Sequence, residues 1–467
     1  MTVTHTTTMG RRIAATALAL VMAAGFAGCS TVQKLNPLKK DEPVESAAQG
    51  ERISIVAFEQ KLTPSERLKG QDFYIPSAQP VADWPLATGP AQAVEHAAAA
   101  AQFKVAWSKS IGTGSSTTTQ VMATPVSDGK LIYTLDGEAR IRAFDVNTGA
   151  EAWTRNLNPG IRRDKDAFGG GMALSGGKLF VTSGFRLVAA LDAATGEVQW
   201  TKTVETPLRA APTVSGKFVV FSDVDNQMIA LNQADGAPGW TYQAIVEPAR
   251  ILRTAAPVPY ENLIIAPFSS GELIGLDAAS GQPVWTQVLA QSTRTNALSE
   301  IRDISGRPLI ANNMVFAASH SGVFAAMDAK SGQRRWSVPA DSTNAPWVAG
   351  DVIYLSTVQS ELMAANATSG QVYWIADLNK GRKKTTSSFF AMGEGKKPAK
   401  LPTWTGPVLA SGRLIMVNSE GDMVAFDPKT GERKESLKLG DPAYVAPIVV
   451  GDQLFVVTDK GRLVAIQ

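Results

Sequence analysis

The sequence predicts an all-β fold, an eight-bladed β-propeller of four-stranded antiparallel blades, and three observations carry that prediction. A turn motif of Asp or Asn, then Gly and a later Trp, recurs from residue 145 onward at a mean spacing of about 46 residues, the length of one blade. Short apolar runs opened by turns precede the copies, which is a strand and hairpin pattern rather than a helical one. The last copy stops at Gln467 without its turn and Trp, and a segment of that character stands at the front of the repeats. Within 467 residues, 44% hydrophobic content and 40 glycines allow a large core with many turns; they exclude a wholly disordered chain and a multi-pass membrane protein.

In chain order, Arg11 and Arg12 precede the apolar run from Ile13 to Ala27, and Ala27-Gly28 stands directly before Cys29, the one cysteine. A positive start, a short apolar stretch and small residues before a cut are the three parts of a secretory signal. About 15 apolar residues are too few to span a bilayer comfortably, so residues 1–28 are read as a signal peptide that is removed, with Met1 or Met9 as its start. The segment resembles a bacterial lipoprotein signal. That resemblance implies that Cys29 is the lipidated, palmitate-bearing first residue of the mature chain, and that Ser30 at the next position directs it to the outer membrane. A single cysteine leaves no intrachain disulfide, and His5, His96 and His320 leave little for imidazole or zinc chemistry. Lys and Arg number 45 against 42 Asp and Glu, a net charge of +3, which gives no field for nucleic acid.

Residues 29–102 form a tether rich in Pro, Ala and charge, including Pro37, Lys39, Lys40, Asp41, Glu42 and Pro43, with one apolar patch from Ile53 to Phe58. Such a length of coil exceeds an ordinary loop, so part of it is expected to dock on the following domain. The alanine-rich stretch from Gln92 to Gln102 is expected to form a short helix.

Residues 103–467 form the propeller. The motif positions are Asp145, Asp192, Asn232, Asp277, Asp328, Asn366, Asp427 and, in register with them, Gln467, at intervals of 47, 40, 45, 51, 38, 61 and 40 residues. The Asp or Asn side chain accepts main-chain N–H bonds in a tight turn, and the Gly four residues on supplies a positive φ. The Trp that follows is suited to packing between neighbouring blades while its N–H finds a carbonyl. Eight equivalent repeats do not need eight active sites, so these carboxylates are read as structural. The strand missing after Ile466 is supplied by Phe103 to Trp107, which closes the ring and hides its sheet edges. The 61-residue interval holds Lys380, Arg382, Lys383, Lys384, Lys396, Lys397 and Lys400 and is read as a basic insertion within blade 7.

The unit Leu187-Val188-Ala189-Ala190-Leu191-Asp192-Ala193-Ala194-Thr195-Gly196, followed by Trp200, resembles the pyrroloquinoline-quinone type repeat. Together with the signal, residues 11–467 resemble the BamB family, propeller lipoproteins of the bacterial outer-membrane β-barrel assembly machinery. That resemblance implies a non-enzymatic scaffold without a cofactor or metal. It would sit lipid-anchored at the periplasmic face of the outer membrane, bind the periplasmic region of BamA and other subunits, and assist folding and insertion of outer-membrane protein clients. The family's binding loops match Arg250-Ile251-Leu252-Arg253 and Asp303-Ile304-Ser305-Gly306-Arg307-Pro308, so Leu252, Arg253 and Asp303 are the expected partner-binding residues, on loops of adjacent blades and outside the core. Leu208-Arg209 is a competing pair one blade earlier.

The rival readings are a quinoprotein dehydrogenase and a propeller that binds cell-wall material or polysaccharide. The first family sets its quinone against a disulfide between adjacent cysteines, and here the one cysteine stands at the N-terminus. The second needs exposed aromatic platforms, whereas Trp347 and Trp404 are expected to pack in blades. No phosphate loop, zinc pair or nucleophile elbow is present, and Ser319-His320-Ser321 has no acid beside it in sequence.

Overall fold

The computed structural model describes residues 61–90, 93–160, 167–247, 251, 255–290, 301–381 and 401–467. The signal segment, Cys29 and the apolar patch lie outside the described residues. Eight four-stranded antiparallel sheets follow one another: blade 1 spans 126–156, blade 2 170–203, blade 3 213–243, blade 4 258–288, blade 5 309–338, blade 6 347–377, blade 7 404–438, and blade 8 448–466. Blade 8 takes its outermost strand from the front of the chain. Val105–Ser110 lies antiparallel to Arg462–Ile466, with Val105 opposite Ile466 and Ser110 opposite Arg462. The closure read from the sequence is therefore present.

Every strand interior follows one rule. The second and third strands of each blade are buried on both faces, as in Phe218–Ser222 and Val352–Ser356, because the neighbouring blades cover them. The outermost strands bury little besides Trp, as in Val198–Thr203.

The motif turn has the expected chemistry. Asp145 Oδ1 accepts the Asn147 and Thr148 N–H groups and the Thr148 hydroxyl at 3.1, 2.8 and 2.8 Å, and Asn366 Oδ1 does the same with Thr368 and Ser369. In four of the turns these bonds hold the carboxylate below its ordinary value: the Thr148 hydroxyl on Asp145, the Thr195 N–H on Asp192, the Ser280 hydroxyl on Asp277 and the Ser331 N–H on Asp328 lead the causes. A carboxylate depressed in the folded state stabilises above its unfolded value, and the contribution is lost as pH falls through the folded one. Stability should therefore decline as pH drops below 3.8. Asn at all four positions should flatten that decline while keeping the turns, since Asn232 and Asn366 already serve there. Urea unfolding of the two proteins on either side of that pH checks it; parallel acid limbs would refute the assignment.

Each turn is also one half of a lock between blades. The glycine has φ near +70° and lies under the Trp of the preceding blade, so that a methyl group on Gly196 would sit 2.5 Å from Trp153 and one on Gly281 2.4 Å from Trp240. Trp153, Trp200, Trp240, Trp285 and Trp336 each donate Nε1–H to a carbonyl of the next blade, at Ala193, Gln233, Ala278, Ala329 and Ala367. Trp107 on Gly149 locks blade 8 to blade 1, and Trp374 on Gly431 locks blade 6 to blade 7. The seam between blades 7 and 8 lacks this device, because Arg433–Lys438 has no Trp.

Two faces result. The loop face carries the connections between blades; the turn face carries the first hairpin of each blade and the motif turns. Residues 72–90 and 93–103 lie across the turn face as a strap. Lys429 holds its start, ion-paired to Asp72 at 2.5 Å, bonded to the Phe73 carbonyl and set over the Phe73 ring. The strap then folds back on itself, Gln79 N–H to His96 O and Ala98 N–H to Gln79 O. His96 ties the two arms to blade 7, with Nδ1 2.7 Å from Pro76 O and Nε2 accepting the Gly412 N–H at 2.8 Å. Docking of the tether is thus observed, and the expected helix is not. Residues 93–102 are non-helical, with Ala97 N–H bonded to Leu409 O and Ser411 N–H to Ala97 O; the free edge of blade 7 takes the main-chain bonds that a helix would have made internally.

The basic insertion also sits differently from expectation. Val372–Asp377 closes blade 6 and Trp404–Ala410 opens blade 7, so the intervening residues connect two blades instead of interrupting one. Residues 382–400 lie outside the described residues.

Candidate partner-binding face

The connection between blades 3 and 4 leaves the rim at Ala244, and its first residues, Ile245 and Val246, are 60% and 54% exposed. Polar bonds fix their backbone: Asn226 donates to Ile245 O at 2.6 Å, and the Ile245 N–H faces Glu272 Oε2 at 3.3 Å. The same connection then carries Ile251 to a depression of about 500 Å³ on the loop face, shared with Val121, Met122, Tyr444 and Asp459 from the region of blades 8 and 1. Burial raises the Tyr444 phenol above its ordinary value, and the Asp459 charge adds to this, so it stays protonated as a donor at neutral pH.

Asp303, on the connection between blades 4 and 5, accepts the Ile251 N–H at 2.9 Å. Two of the loops singled out in the sequence are therefore joined by a hydrogen bond. Asp303 is only 3% exposed, which corrects the expectation that it lies outside the core. Its carbonyl takes the His320 N–H and its neighbour Ile304 bonds to Phe268 O, so the carboxylate faces the adjoining loop. What it holds is Ile251, the described residue next to Leu252 in the chain. Leu252 and Arg253 lie outside the described residues. Of the competing pair, Leu208 is buried and Arg209 lines the axial cavity. Sequence reasoning missed Ile245 and Val246; the signal was two β-branched residues placed past the end of a strand, just ahead of Pro248.

Along the ring axis runs a cavity of about 80 Å³, walled by Gly170, Ala211, Ala255, Ala256, Thr405 and others, with Ala87 of the strap packed against Ala211 and Ala256. Ligand pockets usually offer roughly 300–1,000 Å³, and among the described residues no three His, Cys, Asp or Glu side chains converge as a metal site. Among the described residues, this axis offers neither the space nor the ligands for a quinone with its calcium. Trp347 and Trp404 are buried, as expected. Ser319 and Ser321 bond each other at 2.9 Å, and Ser321 donates to Leu289 O, so this turn is built for its own closure.

The family model described as outer membrane protein assembly factor BamB matches residues 137–376 and 380–467. The chain belongs to the BamB family. Among BamB relatives, that of Yersinia pestis is 25% identical over 365 residues, covering 77% of this chain and 87% of its own. That of Escherichia coli K12 is likewise 25% identical over 365 residues, covering 77% and 88%. The crystal structure of BamB from Moraxella catarrhalis superposes with a TM-score of 0.64 at 17% identity, over 78% of this chain and 99% of that one. A quinohemoprotein alcohol dehydrogenase from Comamonas testosteroni shares the fold at a TM-score of 0.58 and 15% identity, over 83% and 81%. Fold alone does not carry activity, and this BamB-family chain has the axis described above. Its membership is in a family of outer-membrane assembly factors.

Proposed function

We propose that this chain is a non-enzymatic scaffold of the outer-membrane β-barrel assembly machinery. Lipid-anchored through Cys29 at the periplasmic face of the outer membrane, it binds the periplasmic region of BamA through its loop face and assists folding and insertion of outer-membrane proteins. The observation that carries this reading is the junction of Asp303 with Ile251, which joins two connections, one of which bears the exposed Ile245 and Val246. Exposed apolar side chains together with an Arg are the composition of an interface centre, where a few residues carry most of the energy.

The test is co-purification of BamA with tagged chain from detergent-solubilised membranes. Leu252→Ala with Arg253→Glu should reduce recovery by about tenfold or more, with unchanged circular dichroism, while Glu197→Lys on the turn face should not. Asp303→Ala should weaken recovery by releasing the loop, and Cys29→Ala should move a folded protein out of the membrane pellet. Undiminished recovery by the Leu252, Arg253 and Asp303 triple variant would place the interface elsewhere.

A further inference from the structure

Among the described residues the strap bonds the inner edge of some blades and not of others. In blades 2 and 7 the first hairpin closes on a two-residue turn, at Ser175 with Lys178 and at Ala410 with Arg413. The residue before each closing pair points its main-chain groups toward the axis, and there the strap bonds them: Pro85 O takes the Leu174 N–H at 2.7 Å, and Leu409 O takes the Ala97 N–H at 3.0 Å. Blade 1 is bonded by Trp84 at Ser127, and blade 8 by Val81 at Gly451. Blade 6 is held through Glu95 at Trp347 and Gly350.

Blades 3, 4 and 5 close on the same two-residue turns, at Ser215 with Phe218, Tyr260 with Leu263 and Ala311 with Met314. By that register Val214, Pro259 and Ile310 turn their main-chain groups to the axis. Among the described residues no strap main-chain bond reaches them. All three line one open groove of about 400 Å³, whose far wall is the strap's own Pro85 and Leu86. Its one charged lining residue, Glu261, is ion-paired to Lys330 at 3.0 Å.

We propose that this groove on the turn face is a docking site for an extended, apolar segment of a partner protein, which continues the course of the strap over blades 3 to 5. The site is continuous with the strap interface, and the strap shows the mode: main-chain bonds to inner-strand ends, with apolar side chains seated between blades, as in strand addition to a sheet edge. Val214 and Ile310 each offer a donor and an acceptor. Pro259 offers only its carbonyl, so the segment donates at blade 4. Glu261 at the rim disfavours an acidic side chain there.

The experiment uses the whole protein and a fluorescein-labelled synthetic peptide of alternating valine and threonine with a terminal lysine, read by anisotropy. Saturable binding is expected, weakened about tenfold in the Val214→Pro, Ile310→Pro double variant. These substitutions remove only the axis-facing N–H groups, and Pro259 shows that the fold accepts proline at this register. Leu309→Glu, which alters the groove wall without touching the backbone, should weaken binding similarly and serves if the proline variant melts early. Unsaturable binding, or equal affinity in the variants that stay folded, overturns the proposal. So does a concentration-dependent dimer that the peptide fails to displace, which would assign the groove to a second copy of the chain.

Discussion

Deleting Phe103 to Trp107 should leave a ring that no longer melts as one cooperative unit, while deleting residues 30–50 should leave the melting midpoint unchanged. The first deletion removes most of the strand that completes blade 8, exposes the edge at Arg462–Ile466, and takes Trp107 off Gly149 and out of its contact with Phe455, whose ring centre lies 5.7 Å away. Removing a packed Trp alone costs about 3–5 kcal/mol, against a total stability of roughly 5–15 kcal/mol for a typical protein. Differential scanning calorimetry decides it, and equal midpoints for the two deletions would end the closure argument.

The second large effect concerns the lock. Gly196→Val should destabilise by about 3 kcal/mol or more, since a β-branched residue resists positive φ and the new side chain meets Trp153 in a seam that cannot expand. Gly216→Val is the matched comparison. Gly216 also has positive φ, at 55°, but open space around it, so only the backbone cost of about 1 kcal/mol applies. Chemical denaturation of the two variants separates strain from clash; if both lose the same amount, the Trp contact contributes nothing.

The repeat, the turn chemistry, the role of Trp and the closing strand were all legible, because each rests on local residue types repeated in register. The strap was legible only as a length of coil too long to be idle. Its alanines have high helix propensity, yet the propensity was outweighed by unpaired main-chain groups at Leu409 and Ser411, which no local pattern reveals. The placement of the basic insertion followed from counting Asp to Asp, a measure that cannot tell a blade's interior from its exit; Trp374, ahead of the insertion, marked the exit. At the candidate site, proximity of Asp303 to the neighbouring loop was readable from repeat order. Its burial was not, because a carboxylate in a loop is ordinarily solvated, and the Ile251 N–H it accepts is a tertiary contact that no local pattern reveals.

The unlocked seam between blades 7 and 8 has a mechanical consequence. The strap crosses it, with Ala97 on blade 7 and Ala100 N–H on Asp452 of blade 8, while Arg413 grips the carbonyls of Ala100 and Ala101. A pull on the chain ahead of residue 61 therefore meets Ser65 on Val372 and Asp72 on Lys429 first, then the doubled-back arms, before any load reaches Val105–Ser110. The strap acts as a strain relief: force from the N-terminal side is spread over blades 6, 7, 8 and 1 in shear, and the closing strand, which would unzip residue by residue if pulled directly, stays outside the load path.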